Sequence, residues 1–166
     1  MNILYSPTLI PTLEGKYLLL DTNIFIDSYI KPHLFTSFFN DLKKADITLT
    51  TIDLVKCEFL KGSPTEEKYN EREIFITDIT NNTILPITKE TYELAYNLIK
   101  LYKVEGSAVK ITDLFLGACL MQYKKNIFLL TRDTTDFIQR IFELSFIVNV
   151  PHTKGILTYG IYQYIK

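Results

Sequence analysis

Hydrophobic residues along this chain follow two rhythms, and their alternation predicts the fold. Short apolar runs of strand length occur at residues 17–20, 47–50, 84–87, 127–130 and 146–150. Segments with helical spacing lie between them. Residues 23–29 open a first helix, with Thr22 or Asn23 as its cap. Phe35, Phe38, Phe39 and Leu42 recur at i, i+3, i+4 and i+7 on a second, which Pro32 restarts. Residues 51–61 predict a third, stopped by Gly62, Ser63 and Pro64. A charged helix follows from Thr65 to about Ile79, and Thr88 caps a long one bearing Leu94, Leu98 and Leu101. After a loop at 104–110, residues 112 to about 124 form a helix apolar nearly all round and therefore central. Residues 136–144 suggest one more short helix. Strands alternating with helices predict an α/β fold, a three-layer α/β/α sandwich with a parallel sheet of about five strands.

The 166 residues show no repeat, low-complexity tract or linker, so a single domain is expected over 1–166. Residues 1–15 are a lead-in broken by Pro7 and Pro11, and 153–166 are a tail rich in tyrosine (Tyr159, Tyr162, Tyr164) that packs on the body or on a partner. Apolar residues at 47% and charged residues at 22% describe a globular chain. A net charge of −1 argues against a broadly basic nucleic-acid coat. Cys57 and Cys119 fall in apolar helical patterns and read as buried free thiols, which fits a reducing cytoplasm. No apolar run approaches the roughly 20 residues that span a bilayer, so no membrane partner is expected. The start of the chain lacks the basic opening and apolar core of a signal peptide.

Most of the 19 acidic residues have surface explanations, but a few do not. Asp21 ends the first apolar run, where parallel sheets collect ligands. Alone it fits a turn or cap residue equally well. Glu58 shares a helical arc with Leu54 and Val55, where a carboxylate needs a cation, a hydrogen bond or a metal. Asp113 stands in the first turn of the central helix, a position that also suits a cap or the helix dipole, and Gly117 and Ala118 one turn on leave room beside it. Asp133 and Asp136 follow the fourth apolar run as Asp21 follows the first. These acids fall on one side of a parallel sheet, and like charges so gathered raise one another's pKa unless a cation compensates. No His or Cys has metal-ligand spacing, since His33 and His152 stand apart in the sequence. That disfavours zinc and favours Mg²⁺ or Mn²⁺. Without a glycine-rich phosphate loop, such a site points to hydrolysis of a phosphoester. A phosphatase with Asp21 as nucleophile is a weaker alternative, because Asn23 stands where a second acid would be needed.

Four stretches resemble the PIN domain family, most closely its VapC-type toxin ribonucleases. They are Leu20-Asp-Thr-Asn-Ile-Phe-Ile26, Leu54-Val-Lys-Cys-Glu-Phe-Leu60, Thr112-Asp-Leu-Phe-Leu-Gly-Ala-Cys119 and Leu129-Leu-Thr-Arg-Asp-Thr-Thr-Asp-Phe137. They occur in the family's order and, with the strand pattern, span Leu20 to about Val150. The resemblance implies metal-dependent cleavage of RNA at an acidic site of Asp21, Glu58, Asp113 and Asp133, with Asp136 a further or alternative ligand. Thr22, Asn23 and Thr131 match small polar positions that orient those carboxylates. It also implies an RNA substrate, with an antitoxin protein and a second copy of the chain as candidate partners. A non-catalytic nucleic-acid-binding or protein-interaction module on the same fold is the alternative. Arg132, Lys56, Lys61 and Lys154 are candidate phosphate contacts, each of which would equally serve as plain surface charge.

Overall fold

Leu18, Leu19 and Leu20 are all fully buried, although neighbours in a strand point to opposite faces. The strand that carries them is therefore covered on both sides. The computed structural model describes residues 2–104, 108–137 and 139–165. In chain order it contains β1 (Leu4–Tyr5), α1 (Leu9–Leu13), β2 (Tyr17–Leu20), α2 (Thr22–Ile30), α3 (Pro32–Lys44), β3 (Thr48–Ile52), α4 (Asp53–Lys61), α5 (Glu66–Thr80), β4 (Ile84–Leu85), α6 (Lys89–Val104), α7 (Ile111–Tyr123), β5 (Ile127–Thr131), β6 (Phe142–His152) and β7 (Gly155–Tyr164). The strands form one sheet in the order β1-β6-β7-β5-β2-β3-β4. Strands β5, β2, β3 and β4 run parallel and are flanked by helices. All five residues of β5 are buried, as expected for the interior of such a sheet.

Local chemistry explains the helix starts and stops. Pro32 stands in the first turn of α3, where a missing N–H costs nothing. Thr65 caps α5 by accepting from the Lys68 amide at 3.2 Å. Thr88 and Thr91 exchange side-chain and amide bonds at the start of α6. Helix α5 ends on Asn81 in the left-handed region.

Several expectations are corrected. Residues 146–150 do form a strand, but it is part of β6 and pairs antiparallel with β7. The parallel portion thus has four strands and the whole sheet is mixed. The described residues of 136–144 hold no helix: they pass through bends and a turn into β6 at Phe142. The tail is strand β7, inserted between β5 and β6. The lead-in adds β1 at the sheet edge and α1, whose Leu9 and Leu13 are fully buried. The predicted loop at 104–110 has residues 105–107 outside the described set. Gly117 does not open space beside Asp113; a Cβ there would meet Leu98 and Phe142 at 3.0 Å each, so the glycine serves close packing of α7. Both cysteines are free; Cys119 is buried, its thiol pushed up to about 12, but Cys57 is exposed. His33 and His152 are brought together on the lining of one cavity of about 260 Å³.

Candidate metal centre

Strand register builds the first half of the site. Leu20 of β2 lies opposite Leu130 of the parallel neighbour β5, so the next residues, Asp21 and Thr131, emerge side by side. Asp21 is the N-cap of α2 and is nearly buried. Its Oδ1 accepts from the Thr22 amide at 2.6 Å, and its Oδ2 accepts from Asn23 Nδ2 and Thr131 Oγ1, each at 2.6 Å. Asn23 in turn accepts from the Arg132 amide at 3.0 Å. Thr131 Oγ1 accepts from the Asp133 amide at 3.0 Å. Thr22, Asn23 and Thr131 thus hold Asp21 and the loop after β5 in one hydrogen-bonded unit.

Glu58, on α4, spans two helix starts. Thr22 Oγ1 donates to its Oε2 at 2.6 Å, and Thr112 Oγ1 donates to its Oε1. The second half of the site is a triad: carboxylate oxygens of Asp113, Asp133 and Asp136 lie within 4.8 Å of one another. Asp133 caps its own loop, its Oδ1 accepting from the Thr135 hydroxyl at 2.9 Å and from the Thr135 and Asp136 amides at 3.1 and 3.4 Å. Tyr102, reaching across from α6, donates to the Asp136 carbonyl.

The charges in this pocket are poorly compensated. Burial, a hydrogen bond to Asp136 and the charges of Asp21, Asp136 and Asp133 push the Asp113 carboxyl up to about 8. Burial also raises Asp21, against the hydrogen bonds from Thr131, Thr22 and Asn23 that lower it, and Glu58 adds to the rise. Burial pulls Asp133 upward too, but the hydrogen bonds from Thr135 and Asp136 outweigh it and leave this carboxyl low. Lys56 pairs with Glu73, Lys68 with Glu71, Lys89 with Glu93 and Arg132 with Asp27, so these four cations are engaged away from the acids. The donors are all hard oxygens, from three carboxylates within 4.8 Å of one another. That set fits a divalent cation of the Mg²⁺ or Mn²⁺ kind.

A sequence model of the PIN domain matches residues 18–141 of the chain. The chain belongs to the PIN domain family. A chain of the VapBC2 complex from Rickettsia felis, solved with a DNA fragment from its promoter, superposes with a TM-score of 0.50. The two share 18% identity over 61% of this chain and 78% of that one, a likeness of fold. No curated protein matches the chain.

In this PIN domain all five acids singled out in the sequence face one region. Asp113, Asp133 and Asp136 form the tight triad, Asp21 acts on Asp113 through its charge, and Glu58 acts on Asp21. The basic candidates are scattered. Lys56 pairs with Glu73 at 3.6 Å, Lys61 is exposed, Lys154 stands in the turn between β6 and β7, and Arg132 pairs with Asp27 at 2.9 Å. Thr112, Thr135 and Tyr102 were not singled out as site residues. For Thr112 and Thr135 the available signal was adjacency to an acid; for Tyr102 there was none. Among the described residues no helix is long and apolar enough to cross a membrane.

Proposed function

We propose that this PIN domain is a metal-dependent ribonuclease that hydrolyses RNA phosphodiester bonds, and that it serves as the toxin of a toxin–antitoxin pair. One observation carries the enzymatic reading: three carboxylates have oxygens within 4.8 Å of one another, one of them raised to about 8 by burial and by its acidic neighbours. Acids so gathered, with Asp113 buried and Asp133 and Asp136 half-buried, are costly without a cation. Asp113, Asp133 and Asp136 would hold the ion, with Asp21 directly behind them and Glu58 completing the shell directly or through water. A bound Mg²⁺ or Mn²⁺ would supply an acidified water and offset charge on the phosphodiester.

The chain's own residues do the positioning. Thr22, Asn23 and Thr131 fix Asp21, and Thr22 and Thr112 fix Glu58. Thr135 fixes Asp133. With its carboxyl raised to about 8, Asp113 would give up its proton on binding a cation. The antitoxin partner is supported by the likeness in fold to a chain of a VapBC complex; a second copy of the chain is a further proposed partner.

The test is cleavage of a single-stranded RNA by purified protein with Mn²⁺, alongside a DNA of the same sequence. We expect RNA cleavage that EDTA abolishes and that Asp113→Asn reduces by about 10²–10³-fold, the scale of losing a principal electrostatic group, while circular dichroism shows the variant still folded. Activity that persists in EDTA would overturn the metal reading. Metal-independent RNA binding without turnover would instead favour the non-catalytic module. The toxin role is tested by growth arrest on expression of the wild type and its absence with Asp113→Asn.

A further inference from the structure

The basic residue closest in sequence to the acidic loop is not left to wander. Arg132 sits between Thr131 and Asp133 and is about half exposed. Its Nη1 donates to both oxygens of Asp27, at 3.2 and 2.9 Å, while its amide donates to Asn23. Asp27 lies five residues beyond the start of α2, about 7.5 Å along the helix axis. The acid is itself mostly buried, and Tyr159 of β7 donates its hydroxyl to Asp27 Oδ2 at 2.7 Å. Tyr159 is fully buried, and burial followed by the bond to Asp27 keeps its phenol protonated. A relay therefore runs from the C-terminal strand through Asp27 to a guanidinium at the rim of the site.

We propose that Asp27 and Tyr159 are positioning residues for Arg132, which they hold as the anchor for a phosphate of the bound nucleic-acid strand. The inference rests on the ribonuclease reading, because it takes a polynucleotide as the ligand. The contacts to Asp27 use one nitrogen of a half-exposed guanidinium, which leaves the other donors of the fork for a phosphate oxygen. An exposed arginine loses rotamer freedom when it binds, and one already fixed by a buried acid has less left to lose. Pairing with Asp27 also engages the guanidinium with an acid outside the carboxylate triad.

The experiment measures binding of a fluorescent single-stranded RNA at several salt concentrations, with Asp113→Asn as the background so that nothing is cut. Arg132→Ala should weaken binding about tenfold, the scale of one charge-assisted contact, and reduce the slope of log affinity against log salt by about 0.7. Tyr159→Phe changes no charge and should weaken binding about threefold, the lower end of one hydrogen bond lost. That effect should vanish when Arg132 is already alanine, which distinguishes positioning from a general loss of stability. Additive effects of the two substitutions would overturn the proposal, as would Asp27→Asn strengthening the binding through simple loss of a negative charge. With Asp113 intact, the Mn²⁺ affinity of Tyr159→Phe, followed by thermal shift, should equal that of the wild type; a change there would place the effect in the metal loop and also overturn it. Failure of the ribonuclease reading is seen separately, as absence of Mn²⁺-dependent cleavage by the wild type. If the wild type binds no RNA at all, both fall.

Discussion

Asp113 stands among carboxylates in a buried pocket, and its proton is a measurable consequence. Its carboxyl is raised from 3.8 to about 8 in the folded chain, so the folded state binds that proton more tightly than the unfolded state. The resulting stabilisation is complete below about pH 3.8 and is lost as pH rises toward 8. Asp21, also raised, contributes with the same sign. We therefore expect the melting temperature of metal-free protein to fall between about pH 5 and about pH 8, and Asp113→Asn to flatten the fall. Mn²⁺ should raise the melting temperature more at the higher pH, where it no longer competes with the proton. Differential scanning calorimetry with and without EDTA reads both. At this scale Asp21 and Asp113 were legible, because each interrupts an apolar pattern at the end of a strand or the start of a helix. Asp27 was not. It looks like any acid on a short helix, and its partners Arg132 and Tyr159 are 105 and 132 residues away.

Elements reveal where periodicity misleads. Phe137, Ile141 and Leu144 are spaced like a helix face, yet Phe137 packs against Phe142 and Tyr162 from a turn. Short apolar spacing cannot tell a turn that plugs a core from a helix that covers one. The β6–β7 hairpin was hidden for another reason. Its loop is Thr153-Lys154, without the Asn-Gly or Asp-Gly signal, and the positive φ at this turn falls on Gly155 beyond it. The helices were read more surely, and α7 was rightly central: every residue from Thr112 to Leu120 is buried. Its Gly117 gives a test. Alanine would gain about 1 kcal/mol of helix propensity, but Leu98 and Phe142, both fully buried, would have to yield by a few tenths of an ångström. Overpacking costs about 1–3 kcal/mol, so Gly117→Ala should lower the melting temperature by a few degrees, measurable by circular dichroism.

For the whole molecule, the sheet depends on its last strand. β7 lies between β5 and β6 and contributes Tyr159, Ile161 and Tyr162 to the core. Three buried side chains of this size supply about 5–9 kcal/mol, a large part of a typical net stability of about 5–15 kcal/mol. A chain ending at His152 should therefore fail to fold cooperatively, which a denaturant titration followed by circular dichroism would show; a folded truncated chain would contradict the topology. The sequence made the parallel half of the sheet legible, because buried parallel strands appear as unbroken apolar runs. The antiparallel half was less so, since its strands alternate and carry exposed residues such as Ile147 and Ile156. Because residues 155–164 both complete the sheet and bring Tyr159 to Asp27, one late stretch of chain ties the stability of the fold to the placement of a side chain beside the acidic loop.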